Sequence, residues 1–161
     1  MRFVDTMIFI KWGQATPAEA FQTEEISLCG YILAKIRNGE EALISGLVKD
    51  EALIWFSRYK ASRLSDFIRS LAALTNLKIV EPTLEDELEA TRLYGRYPLG
   101  ITDLINLSLM KRHGIHEIYS TDKGFEQVPA VKRVLEELKG ESGYRDFIKR
   151  LKCSSKGIEQ P

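Results

Sequence analysis

The first thirteen residues, MRFVDTMIFIKWG (residues 1–13), place one carboxylate inside an apolar run. Phe3 and Val4 precede Asp5, and four apolar residues, 7–10, follow one position later. A run of this kind leaves no side for solvent, which is typical of a central strand that is buried on both faces of a parallel sheet. We therefore predict a single strand across this stretch.

Asp5 needs a partner in such a strand. A lone buried carboxylate is costly and tends to take up a proton, so water, a metal or an opposite charge should reach it. The carboxyl end of a parallel strand is a place where ligands collect. A tight turn in which Asp5 accepts bonds from backbone amides would explain the residue equally well.

Composition narrows the class of protein. The chain has 161 residues, which suits one domain with a sizeable core, and its 23 Lys and Arg balance 23 Asp and Glu. This balance excludes a global basic field, so any nucleic-acid binding must use a local patch. Cys29 and Cys153 suggest neither a disulfide framework nor a zinc site. We expect a soluble cytoplasmic protein without a membrane segment, with one domain over residues 1–152 and a flexible tail over 153–161.

Strand and helix patterns alternate along the chain. After the first strand, Thr16, Pro17 and Glu19 form a capping box that predicts a helix over 16–36. Further strands are predicted at 42–45, 77–81, 115–120 and 131–134, and further helices at 46–59, 62–74, 83–94 and 103–113. Leu47, Glu51 and Trp55 are expected on the inward stripe of the helix over 46–59, and Ile68 on the inward face of the helix over 62–74. Alternation of this kind predicts a three-layer α/β/α sandwich with a mostly parallel central sheet.

Four acidic residues lie beside apolar faces: Asp5, Glu51, Asp103 and Asp122. Asp5 and Asp122 follow strands, so both should emerge at the carboxyl edge of the sheet. Glu51 lies on the inward stripe of its helix, and Asp103 lies in the first turn of its helix after Thr102 as N-cap. Each has an ordinary explanation alone, as a turn former, a rim residue or a helix-dipole partner.

Together the four acids predict a cation site. Anions that converge in one pocket repel each other unless a divalent cation neutralises them. Carboxylate oxygens suit Mg²⁺ or Mn²⁺ better than zinc. Such ions polarise phosphodiesters and lower the pKa of bound water, so the implied chemistry is hydrolysis of a phosphodiester bond.

The sequence resembles the PIN-domain ribonuclease family, which includes the VapC toxins of VapBC toxin-antitoxin pairs. The resemblance is carried, in order, by FVDT (3–6), ISGLVKDEALIWF (44–56), ITDLINLSLMKRHGI (101–115) and IYSTDKGFEQVPAVKRV (118–134). It implies that Asp5, Glu51, Asp103 and Asp122 bind Mg²⁺ or Mn²⁺, and that Thr6 or Thr121 orients them or a metal-bound water. It also implies an RNA substrate, a possible antitoxin partner and a homodimer.

One position departs from the family pattern. Asparagine is common two positions after the first aspartate, whereas this chain has Met7. A hydrogen bond behind the metal ligands is then missing, which leaves open a catalytically weak or inactive module that binds RNA or protein. A phosphoacceptor receiver domain is disfavoured, because Glu51 lies within a helix and no aspartate ends a second or third strand.

Overall fold

A five-stranded sheet forms the centre of the molecule. The computed structural model describes residues 1–156. The strands are β1 (Arg2–Val4), β2 (Ala42–Ser45), β3 (Leu77–Val80), β4 (Glu117–Tyr119) and β5 (Lys132–Val134). They lie in the order β3-β2-β1-β4-β5, and all neighbouring pairs are parallel. The predicted parallel α/β architecture is confirmed.

Helices connect the strands and complete a three-layer α/β/α fold. The α-helices of residues 1–156 are α1 (Thr6–Gln14), α2 (Pro17–Gln22), α3 (Glu24–Arg37), α4 (Gly46–Tyr59), α5 (Leu64–Ala72), α6 (Leu84–Leu93), α7 (Ile101–Arg112) and α8 (Ser142–Lys156). Short 3-10 helices span Ala61–Arg63, Lys123–Gln127 and Glu136–Gly140. None of the helices in this part of the chain combines the length and apolar character that crossing a membrane requires.

β1 occupies the middle of the sheet. Phe3 lies opposite Leu43 of β2 on one side and Ile118 of β4 on the other. All three side chains are buried. The sequence of β1 therefore has the apolar character of a strand covered on both faces, as predicted.

The first apolar run is a strand followed by a helix, so the prediction of one strand is wrong beyond Val4. Asp5 has an extended backbone, with φ −77° and ψ 153°, and is the N-cap of α1. Ile8, Phe9 and Ile10 are buried within α1. A buried helix is also apolar on several sides, so a short apolar run alone does not distinguish it from a buried strand.

One predicted helix is divided in the structure, and another begins earlier than predicted. The capping box of Thr16 and Glu19 is present, but the predicted helix 16–36 is divided into α2 and α3 at Thr23, whose backbone is extended. α7 begins at Ile101 with Gly100 as its N-cap, whereas the sequence suggested Thr102. The earlier start follows from Asp103, whose carboxylate accepts the Gly100 N–H.

α4 buries a different set of side chains from the one predicted. Its fully buried apolar side chains include Val48, Ala52 and Phe56, at four-residue spacing. Ile54 is 51% exposed. Ile68 of α5 is 41% exposed, so its predicted inward position is wrong. The Phe56 ring stacks on Phe67 at 4.8 Å between centroids. The face centred on Phe56 therefore joins α4 to the core.

The predicted tail falls mostly outside the described residues. α8 continues to Lys156, and residues 157–161 lie beyond the described part of the chain. The flexibility of residues 153–161 stays a prediction.

Replacing Phe56 by Ala should lower the free energy of unfolding by about 3–5 kcal/mol, because the substitution leaves a cavity in the stacked aromatic core. Ile54→Ala is the matched control on the same helix and should change stability by less than about 1 kcal/mol, since its side chain is half exposed. Urea unfolding followed by circular dichroism measures both. Equal losses for the two variants would contradict the described orientation of α4.

Candidate active site

Asp5 lies buried where β1 ends and α1 begins. The side chain is 6% exposed, and its Oδ2 accepts a 2.6 Å hydrogen bond from the hydroxyl of Ser120. Burial raises the pKa of Asp5 to about 6; the Ser120 bond and the Thr6 N–H oppose this rise, and the charges of Asp103 and Glu51 add to it. Asp5 is therefore a carboxyl group for which the protein supplies hydrogen bonds but not enough compensation for its charge.

Glu51 projects from α4 toward the start of α1. The buried hydroxyl of Thr6 donates a 2.7 Å hydrogen bond to Oε2 of Glu51. Asp50 is exposed and pairs with Lys49 instead. Glu51 rather than its neighbour thus faces α1, as its predicted position on the helix requires, and Thr6 connects it to the residue next to Asp5.

Asp103 lies in the first turn of α7. Its Oδ2 accepts the Gly100 N–H at 3.1 Å, which is a capping bond at a helix N-terminus. Burial is the largest cause of the raised pKa of Asp103; the Gly100 bond lowers the pKa, and the charges of Glu51 and Asp122 raise it. Asp103 therefore both caps the N-terminus of α7 and lies close to the other acids.

Asp122 begins the 3-10 helix that follows β4. Its Oδ1 accepts the Gly124 N–H at 2.7 Å, so it makes the turn contact that its sequence predicts. Its own N–H donates to the Ser120 hydroxyl at 2.9 Å. The Ser120 oxygen therefore connects the backbone of Asp122 to the carboxylate of Asp5.

Ser120 was missed by the sequence analysis, which selected Thr121 for this orienting role. Ser120 is fully buried and directly follows β4, and it makes the contact with Asp5. The available signal was a small polar residue at the end of the apolar segment IYS. Because successive residues of an extended chain point to opposite sides, Ser120 and Thr121 are not interchangeable.

A second buried polar pair was also missed. The hydroxyl of Ser45 donates a 2.6 Å hydrogen bond to Oδ1 of Asn106, and both side chains are buried. Ser45 is the N-cap of α4, whereas Asn106 lies one turn after Asp103 on α7. The pair joins the segments that carry Glu51 and Asp103.

The acids lie close enough for their charges to interact. The charges of Asp103 and Glu51 raise the pKa of Asp5, and the charges of Glu51 and Asp122 raise the pKa of Asp103. None of these four carboxylates takes part in the ion pairs of residues 1–156. The cluster therefore keeps its negative charge locally, although the chain as a whole is neutral.

The chemistry of this cluster fits a hard divalent cation, with a limit on how many side chains reach it directly. Carboxylate oxygens are the ligands that Mg²⁺ and Mn²⁺ prefer. Within the described residues, no three His, Cys, Asp or Glu side chains form a group that could hold an ion together. Mg²⁺ commonly keeps several waters and uses one or two carboxylates, so a partly water-ligated ion suits this arrangement. The assignment of all four acids as ligands stays a prediction.

Comparisons with known proteins place this arrangement in a family. The profile of the PIN domain matches residues 2–131. VapC20 of Mycobacterium tuberculosis, a toxin that cleaves the sarcin-ricin loop, is similar in structure, with a TM-score of 0.61, 18% identity, and coverage of 80% of this chain and 95% of that one. No curated protein matches the sequence.

Two further solved structures are similar. A toxin-antitoxin complex from Klebsiella pneumoniae has a chain with a TM-score of 0.60 and 18% identity, covering 82% of this chain and 96% of that one. VapBC2 of Rickettsia felis, bound to a DNA fragment from its promoter, has a TM-score of 0.57 and 16% identity, with coverage of 83% and 96%. At these identities the likeness concerns the fold.

Asp5→Asn should stabilise the metal-free protein above pH 6 and lose that advantage below about pH 4. The folded chain holds the Asp5 proton up to about pH 6, whereas the unfolded chain releases it near its ordinary value of 3.8, so parental stability falls between these values as the pH rises. This difference between the folded and unfolded pKa of Asp5 corresponds to about 3 kcal/mol of unfolding free energy. That figure is an upper limit, because Asn is a poorer acceptor for the Thr6 N–H. Urea unfolding in EDTA from pH 4 to 8 measures the difference. A constant difference across this range would contradict the raised pKa.

Proposed function

The chain belongs to the PIN domain family, and from this we propose that it is a metal-dependent endoribonuclease that hydrolyses phosphodiester bonds of RNA. The observation that carries the proposal is the buried carboxylate of Asp5, which lies among other acids and lacks a Lys, Arg or His partner in the described residues. A divalent cation would favour the ionised form of Asp5, whose pKa is raised by burial and, to a smaller extent, by the neighbouring carboxylates. Bound Mg²⁺ or Mn²⁺ would supply a Lewis acid for the phosphate and a more acidic water.

The residues around the acids have distinct tasks in this proposal. The Ser120 hydroxyl donates to Oδ2 of Asp5 and would orient this carboxylate toward the cation. The Thr6 hydroxyl holds Oε2 of Glu51 in the same way. Asp103 and Asp122 add negative charge from the starts of α7 and the following 3-10 helix. Neutral donors orient the acids without competing with a cation, as expected around metal ligands.

A VapC-type toxin is the specific form of this proposal. Two of the similar structures are toxin-antitoxin assemblies, one of them bound to promoter DNA. By analogy we propose an antitoxin protein as a partner, together with a homodimeric state and a cytoplasmic location. A co-purification with the product of a neighbouring small gene would test the partner.

One observation favours a non-enzymatic alternative. Met7 lies two positions after Asp5 and is 37% exposed, and its thioether offers only a weak acceptor. A site that lacks a strong polar group at this position could bind RNA or protein with little turnover. The cleavage experiment separates this alternative from the nuclease.

Cleavage of a labelled single-stranded RNA should require Mg²⁺ or Mn²⁺ and stop on addition of EDTA. Asp5→Asn and Glu51→Gln should each lower kcat/KM by more than about 100-fold, because each removes a charge that the cation needs. Asp50→Asn is the matched control beside Glu51 and should stay within about twofold of the parent, since Asp50 is exposed and faces away. The rates come from gel-resolved time courses.

Two results would count against the nuclease. Cleavage that continues at the same rate in EDTA would remove the role of the cation. Binding of RNA without any cleavage at saturating Mn²⁺ would favour the non-enzymatic alternative.

A further inference from the structure

Asn106 is a buried polar residue in a mostly apolar part of α7. Leu104, Leu107 and Leu109 around it are buried, and Asn106 itself is 2% exposed. Asparagine is unfavourable in the interior of a helix, and burying its amide is costly unless the amide makes hydrogen bonds. A leucine or alanine would suit the helix better, so the amide needs an explanation outside α7.

The partner of Asn106 already has another task. Ser45 is fully buried, ends β2 and caps α4, where its oxygen accepts the Val48 N–H at 3.1 Å. The cap does not require Asn106. The hydroxyl proton of Ser45 is directed to Oδ1 of Asn106 at 2.6 Å, which is a short and buried bond between different elements.

The position of this bond relates it to the acids. Asn106 follows Asp103 by three residues, so both side chains lie on the same face of α7, one turn apart. Ser45 begins the helix that carries Glu51. Among residues 1–156 this is the one side-chain hydrogen bond between the β2–α4 segment and α7.

We propose that the Ser45–Asn106 hydrogen bond is a positioning contact that holds Asp103 of α7 at a set distance from Glu51 of α4. Both residues act through the acids and touch no reacting group. The inference rests on the proposed function, because it concerns the separation of carboxylates around a cation. The bonds Thr6–Glu51 and Ser120–Asp5 hold two acids directly, whereas this bond sets the relation between two helices.

The test measures Mg²⁺ binding to the metal-free protein by calorimetric titration with MgCl₂, without RNA. Asn106→Leu removes the acceptor but leaves the cap of α4 intact. We expect its Kd for Mg²⁺ to rise about 10- to 100-fold, the usual effect of losing a contact behind metal ligands. The Mg²⁺ concentration for half-maximal RNA cleavage should rise by a similar factor, while kcat at saturating Mg²⁺ falls less.

Control variants separate positioning from stability. Ile36→Val lowers stability by a core substitution in α3 and should leave the Kd for Mg²⁺ unchanged. Ser45→Thr keeps the hydroxyl and should bind Mg²⁺ as the parent does. Ser45→Ala loses both the bond to Asn106 and the cap of α4, so it should bind Mg²⁺ at least as weakly as Asn106→Leu. The double variant should bind as weakly as Ser45→Ala, because Asn106 acts through Ser45.

Each outcome decides the proposal. A parental Kd for Mg²⁺ in folded Asn106→Leu would overturn the positioning role while leaving the nuclease in place. If Asn106→Leu does not fold, equal Mg²⁺ affinities of Ser45→Ala and Ser45→Thr would overturn it. If the parent binds neither Mg²⁺ nor Mn²⁺, the proposed function fails and the positioning role fails with it.

Discussion

The buried carboxylate of Asp5 is the constraint on which the rest of the site depends. Transfer of a charge out of water is costly, and other anions nearby increase that cost. The protein compensates in part through the Ser120 hydroxyl and the Thr6 N–H. The start of α1 adds a favourable helix dipole, since Asp5 is its N-cap. The pKa of about 6 shows that this compensation is incomplete.

Neutral groups orient the acids of the site. Hydroxyl and amide side chains supply the contacts at the carboxyl edge of the sheet: Thr6, Ser45, Asn106 and Ser120. Arginines instead form ion pairs with other acids, as Arg2 does with Glu117 and Arg112 with Asp86. The zero net charge of the chain therefore conceals a local negative field. In the proposed function, this field would attract small cations, which would in turn allow a phosphate to approach.

Much of the fold was predictable from local sequence. Apolar strands such as β2, and the capping box at Thr16, identified the elements and their parallel arrangement. The first run was misassigned because a buried strand and a buried helix have the same composition over a few residues. The predicted inward stripe of Leu47, Glu51 and Trp55 is only partly buried, because the packing of Phe56 against Phe67 determines which face of α4 is buried. That contact joins two successive helices and leaves no mark on the local pattern of either.

In the candidate site, too, local sequence predicted some residues, whereas others depend on tertiary contacts. The acids could be selected because each is an anion beside an apolar face. Thr6, which donates to Glu51, was also selected. Ser120, which donates to Asp5, and the Ser45–Asn106 pair were not, because their roles depend on tertiary contacts. The metal-ligand roles follow from the chemistry of the acids and from the family, and remain proposals.

The central claim is that Asp5 carries a charge whose cost a divalent cation removes. Carbon-13 NMR of the Asp5 carboxyl carbon, titrated with pH in EDTA and again in MgCl₂, measures its pKa in both conditions. The account predicts a midpoint of about 6 without metal and a clear shift to lower pH with Mg²⁺, because the cation favours the ionised form. A midpoint near the ordinary value of 3.8 in EDTA, or one that Mg²⁺ does not move, would contradict it.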